Sequence, residues 1–122
     1  MTVRLYALRG AITCDLDSAD EISLRTRQVV SEMLERNSIL HDDIVSIIFT
    51  STDDLVSQFP ATAARALGLG DVPLICAREL SIEGAMKRVI RVLMHVYSER
   101  TRAEISHVYL EGARSLRDDL PG

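Results

Sequence analysis

The fold turns on "PLICARELSIEGAMKRVIRVLMHV", residues 73–96. Its opening, "PLICA", is apolar and short, which suits a buried strand. From residue 83 onward, Met86, Val89, Ile90, Leu93, Met94 and the pair Val96 and Tyr97 fall at helical spacing. That spacing predicts a long amphipathic helix over 83–99. Between the two lie Cys76, Arg78 and Glu79, then Lys87, Arg88 and Arg91. A thiol, a carboxylate and several cations gathered where strand gives way to helix are either a solvated rim or a place to hold an anion.

Upstream, "VRLYALR" (3–9) is apolar and short and reads as a strand bounded by Gly10. "SADE" (18–21) is a capping-box pattern, serine at the cap and glutamate three residues on. Ile22, Val29, Val30, Met33 and Leu34 continue it at helical spacing, and Asn37 is a stop signal, so a long helix is predicted over 18–37. "DIVSIIFTST" (43–52) is β-branched and apolar at its centre, the pattern of an interior strand. "FPATAARALG" (59–68) places Pro60 near the start and Gly68 at the end of a short helix. Downstream, "ISHVYLEG" (105–112) alternates, with Ile105, His107, Tyr109 and Glu111 on one face. Residues 112–122 are polar and glycine-flanked and read as a flexible C-terminal tail of a single domain spanning 1–122.

The predicted order is β-α-β-(short α)-β-α-β, without repeats or linkers. The fold class is therefore α/β (α+β), a mixed β-sheet covered by two long helices on one face. The other face must be polar or must be covered by another copy of the chain. "IVSIIF" (44–49) is too apolar to meet water on either side, so the pattern favours oligomerisation through the sheets.

Composition narrows the function. A chain of 122 residues with 47% hydrophobic and 26% charged residues has the balance of a soluble globular domain. A net charge of -4 argues against a general nucleic-acid binder. No apolar run approaches the ~18 residues of a membrane span, and the opening residues show no signal-peptide h-region. Cys14 and Cys76 have no metal-type spacing, so the expectations are a reducing cytoplasm and no metal or cofactor. The cations are thirteen arginines and the single Lys87. A GC-rich genome produces that bias, yet arginine is also the side chain that holds carboxylates in bidentate geometry.

Individual residues leave alternatives open. Arg91 borders an apolar stripe and either solvates its head or, if buried, needs an anion such as Glu79 or a ligand carboxylate. Glu79 is an exposed approach to the next element or that partner. Cys76 fits a small buried hydrophobe, and strand alternation sets it on the face opposite Glu79. Tyr109 is a core tyrosine with its hydroxyl at an edge, His107 is structural and His95 exposed. No glycine-rich phosphate loop, nucleophile elbow or supported Cys–His pair occurs, which leaves covalent and metal-dependent catalysis without a basis.

Four segments, "RGAIT", "TSTDDLVSQFPATAAR", "VPLICARELSIEGAMKRVIRVLMH" and "HVYLEGARSLRDDL", run in order over nearly the whole chain. Together they resemble the AroH-type monofunctional chorismate mutases. The resemblance implies a homotrimer with a barrel-like core of sheets, helices outside and clefts between subunits, acting on chorismate to give prephenate without a cofactor. It implies that Arg91 donates to the substrate's ether oxygen and a carboxylate, and that Arg9 holds a carboxylate. Glu79 would accept from the ring hydroxyl, with Cys76 beside that hydroxyl, and Tyr109 would donate to a carboxylate. Phe59, Ala61 and Arg65 would wall the cleft from the adjacent subunit, Ile75 would offer backbone polarity, and Leu116 and Arg117 would close over the ligand.

Three departures stand out. Thr62 occupies the place of an expected lysine, Ile75 that of a threonine, and Arg78, next to Glu79, is placed to compete for it. The rival readings are a non-catalytic trimeric small-molecule sensor and a structural interaction domain.

Overall fold

The computed structural model describes residues 2–117. Five strands, β1 (Arg4–Thr13), β2 (Ile44–Ser51), β3 (Leu74–Arg78), β4 (Val89–Ser98) and β5 (Val108–Leu110), form one mixed sheet. The spatial order is β3-β2-β4-β1-β5. The central β4 runs antiparallel to both neighbours, whereas β1 with β5 and β2 with β3 are parallel pairs. Helix α1 (Ala19–Arg36) and the short α2 (Pro60–Ala64), which continues into a π-helical turn (Arg65–Leu69), pack on one face.

The mixed sheet with helices on one face agrees with the expectation, but the second long helix does not exist. Residues 89–98 are instead the central strand. Ile90, Val92, Met94 and Val96 alternate into the core, while Arg91, Leu93, His95 and Tyr97 take the opposite face. When both faces carry apolar residues, the positions 89, 90, 93, 94 and 96 satisfy the helical and the strand template alike. The β-branched Val89, Ile90, Val92 and Val96 favour the strand, and two flanking partners decide it. Ahead of it, Gly84 (φ 81) and Arg88 (φ 52) adopt left-handed backbone that breaks any helix there.

Helix α1 starts where expected. Ser18 Oγ accepts from the Glu21 N–H at 3.1 Å, although the Glu21 carboxylate turns away to the Asp15 N–H at 2.7 Å, so only half the capping box forms. Its inner residues Ile22, Val29, Val30 and Met33 meet Leu8, Ile12, Ile47, Phe49, Ile90 and Met94 of the sheet in one dry core. Strand β1 runs past Gly10, the residue expected to bound it. There the missing side chain admits the helix, because a Cβ would lie 2.4 Å from Met33 Sδ.

Asn37 stops α1 and also ties it to the strand that carries Tyr109. Its side chain donates to Met33 O and Ser106 O, both at 2.9 Å, and accepts from the Ser106 N–H at 2.8 Å. Asn37→Ala strands buried polar groups at both ends. We expect it to cost about 2–3 kcal/mol in urea unfolding with little change in m-value; a loss within 0.5 kcal/mol, roughly the spread of surface substitutions, would show these bonds to be incidental.

The opposite sheet face is open and mixed, with Arg9, Ser46, Thr50, Arg91 and His95 among its apolar residues. Leu5 and Ile75 are 54% and 61% exposed there, beside Tyr97 and the half-buried Ile48 and Leu93. The face is thus neither wholly polar, as one of the two possibilities raised by the sequence had it, nor wholly apolar. Strand β5 is shorter than the alternation suggested, only three residues. Residues 112–117, read as the start of a flexible tail, lie in a 3-10 helix (Glu111–Arg117) with Ala113 fully buried. The rest of that tail lies outside the described residues.

Candidate active site

Register alone assembles the polar row. Thr50 pairs with Arg91 across β2 and β4, Arg91 pairs with Ala11 of β1, and Ala11 pairs with Tyr109 of β5. All of them face the open side of the sheet. Arg9, two residues before Ala11, is diagonal to Arg91 on the same face, within reach of a shared ligand. Arg91 and Tyr109 are two strands apart, roughly 10 Å between backbones. Ala11, small and buried, keeps the floor between them low.

Glu79 enters from the end of β3. Its N–H donates to Ser51 O at 3.0 Å, which prolongs the ladder by one residue and aims the side chain over β2. The carboxylate accepts from the Thr50 hydroxyl and lies 3.4 Å from Arg91 Nε. Glu79 is three-quarters covered and Arg91 about half exposed, so the guanidinium keeps donors pointing to solvent. Thr50 was missed by sequence reasoning. Its only signal is a hydroxyl near the end of an apolar strand, and its meaning appears only once β2 and β4 are in register.

Arg78 does not compete for Glu79. Strand alternation turns it to the helix side, where Nη1 donates to Thr52 O at 2.7 Å and Leu55 O at 3.2 Å, and Nε lies 3.7 Å from Asp53 Oδ1. Arg9 presents its guanidinium to solvent with no ion pair among the described residues, while its N–H donates to His107 Nδ1 at 3.0 Å. His107 thus has the structural role expected of it. His95 is half-buried rather than exposed and meets Ser46 Oγ at 3.2 Å.

Tyr109 is buried, as a core tyrosine should be, among Ala11, Val89 and Ala113, with Met86 and Leu116 packed against them. Cys76 faces away from this row and packs against the main core. It lines a hollow of about 430 Å³ that also touches Phe59, Ala77 and Arg78. A second hollow, about 400 Å³, is bordered by Arg9, Leu93, Arg102 and His107. Neither contains Arg91 or Glu79, so the chemically meaningful row lies on open surface rather than in a closed pocket of the subunit. Phe59 is exposed beside Pro60, Arg65 is exposed on the helix layer, Ala61 is buried in the core, and Ile75 stands on the open face. A single subunit therefore does not bring Phe59, Ala61 and Arg65 to Arg91. Leu116 caps the Tyr109 cluster; the Arg117 side chain lies outside the described residues.

The arrangement can hold a polyanion and place one carboxylate opposite two guanidiniums. It offers no activated nucleophile. Burial pushes the Cys14 thiol up to about 12, which keeps it protonated at neutral pH. Among the described residues no group of three or more His, Cys, Asp or Glu is placed to hold a metal, and no helix is long and apolar enough to cross a membrane.

These features define a small α+β protein with two arginines, a threonine and a carboxylate gathered on an open sheet face. Comparison with known proteins gives that class its family. The family "Chorismate mutase type I" matches residues 5–120. Chorismate mutase AroH of Thermus thermophilus is 44% identical over 114 residues, 93% of each chain. Chorismate mutase AroH of Bacillus subtilis (strain 168) is 39% identical over 117 residues, 95% of this chain and 92% of its own. The solved structure of a chorismate mutase from Clostridium thermocellum superposes with a TM-score of 0.89 at 44% identity, covering 90% of this chain and 98% of its own. The chain belongs to the type I chorismate mutase family, as the four sequence segments implied.

Proposed function

We propose that the chain is an isomerase that converts chorismate to prephenate, a step of aromatic amino-acid biosynthesis, by a one-substrate [3,3] rearrangement. In that reaction the ether C–O bond breaks as a C–C bond forms, within one cyclic array of electrons. No proton, nucleophile or cofactor enters, which is compatible with a site of arginines, a carboxylate and a tyrosine. What the protein supplies is the compact diaxial conformer of a flexible dianion and a field matched to the charge that separates.

Arg91 donates to the ether oxygen, where negative charge grows, and to a carboxylate. Glu79, fixed by Thr50, accepts from the ring hydroxyl and faces the ring, where positive charge grows. Arg9 and Tyr109 hold carboxylates, and Cys76, which lines the Phe59 hollow on the other face, would join the wall supplied by the neighbouring subunit. The observation that carries this reading is the Thr50–Glu79–Arg91 constellation with Arg9 on the same sheet face. A site that only captured carboxylates would gain nothing from a carboxylate of its own, which argues against the non-catalytic sensor.

The apolar side chains exposed on that face and the open site support a homotrimer. Three sheets would cover one another, and the neighbouring subunit would bring Phe59, Ala61 and Arg65 to the cleft, with Leu116 and Arg117 closing it. A cytoplasmic setting fits the unpaired Cys14 and Cys76. The test is direct. Purified protein added to chorismate should remove the substrate's ultraviolet absorbance far faster than buffer does, with prephenate as sole product; an unchanged rate at micromolar protein would sink the assignment.

A further inference from the structure

Outside the polar row, a cluster of carboxylates surrounds Arg25 on α1. Only 14% of its side chain is exposed, and its three nitrogens each meet a different carboxylate. Nε pairs with Glu21, Nη2 with Asp15 and Nη1 with Glu111, each at 3.1 Å, and Nη1 also donates to Gln28 at 3.2 Å. The Asp15 N–H and then Arg25 hold the Glu21 carboxyl below its usual range, so this end of the network stays charged at neutral pH.

Glu111 is the unusual member. It follows the last residue of β5 and adopts φ 53, a left-handed conformation that a side chain takes at some cost. The next residue is clamped as well. The Gly112 N–H donates to Thr13 Oγ1 at 2.8 Å, and a Cβ at 112 would come within 2.9 Å of that oxygen. Two anchors therefore fix the turn from which the C-terminal 3-10 helix departs. That helix sets Ala113 and Leu116 against Tyr109, Val89 and Ala11 beside the proposed cleft.

A surface salt bridge needs no such geometry. We propose that Arg25 is a positioning residue for substrate binding. Through Glu111 it holds the C-terminal helix in the orientation that brings Leu116 over Tyr109 and closes the chorismate cleft. The inference rests on the reading of that cleft given above, and Arg25 itself touches no substrate.

The test uses Glu111→Gly, which removes the carboxylate while relieving the left-handed backbone, so the fold should not suffer. The KM for chorismate should rise about fivefold, the scale of one half-exposed ion pair, with kcat within about twofold and Tm unchanged or higher. Arg25→Met should raise KM similarly, and Arg25→Lys should recover part of it, since lysine keeps the charge without the fork. An unaltered KM in Glu111→Gly with an active wild type would overturn this inference alone. Losses of kcat and Tm together would also overturn it, showing a structural role. An inactive wild type would overturn the cleft and this inference together.

Discussion

Arg91→Gln should lower kcat on chorismate by at least ~10²-fold, the scale for removing one preorganised donor from developing charge. The expectation follows from where Arg91 sits. It projects from the central strand of the sheet, held by neighbours on both sides, and its Nε lies 3.4 Å from Glu79, which orients the guanidinium before substrate arrives. Charge on an ether oxygen is small in the ground state and large in the transition state, so the loss should fall on kcat more than on KM. Stability should change little. Glu79, the partner left behind, keeps the Thr50 hydroxyl and is partly solvated, so no charge is stranded in a dry core. Lysine at 91 should rescue only in part, because it returns charge without two parallel donors. If Arg91 served the fold instead, the pattern would invert, with near-normal turnover and a clear fall in Tm. Measuring kcat and Tm on the same Arg91→Gln protein separates the two.

Much of this site was legible in the sequence, though for uneven reasons. Helix α1 announced itself through a cap, a stripe and a stop, all local signals, and the structure keeps them. Arg91 drew notice from the company it keeps, yet on the wrong element, and its expected role came from the family resemblance. Its stretch carries apolar residues on both faces, including Val89, Leu93 and Tyr97 on the open one, and a central strand of that kind loses the hydropathy alternation that would identify it. The positions that suggested a helical stripe are those that two sheet faces share. Thr50 could not be found from the chain alone, since its role exists only in the register of β2 with β4. Gly10 looked like punctuation because glycine usually is. Here it marks the close approach of a helix, a fact that lives in tertiary packing. Arg78 and Glu79 are adjacent in sequence and diverge in space because a strand sends successive side chains to opposite faces.

The exposed face of the sheet leads to the other large effect, produced without touching the polar row. Leu5 lies on the open face and pairs with Tyr97, four rungs beyond the one that holds Arg9. In one subunit Leu5 is more than half exposed, so Leu5→Glu should cost the isolated fold little. In a trimer built sheet against sheet, the same change sets a carboxylate in each of three packed faces. Burying a charge without a partner costs several kcal/mol, and three of like sign also repel one another. Leu5→Glu should therefore run as a folded monomer in sedimentation at micromolar concentration, where wild type should give one species near three times the chain mass. Its circular dichroism should remain that of wild type. Turnover should disappear with the assembly if, as proposed, a neighbour delivers Phe59, Ala61 and Arg65 to Arg91. Leu5→Ala, which removes contact without adding charge, should stay assembled and active. The informative exception is a Leu5→Glu monomer that still turns over chorismate at the wild-type rate. Such a protein would place every group the rearrangement needs within one subunit, and the role assigned to the neighbouring chain would have to be abandoned.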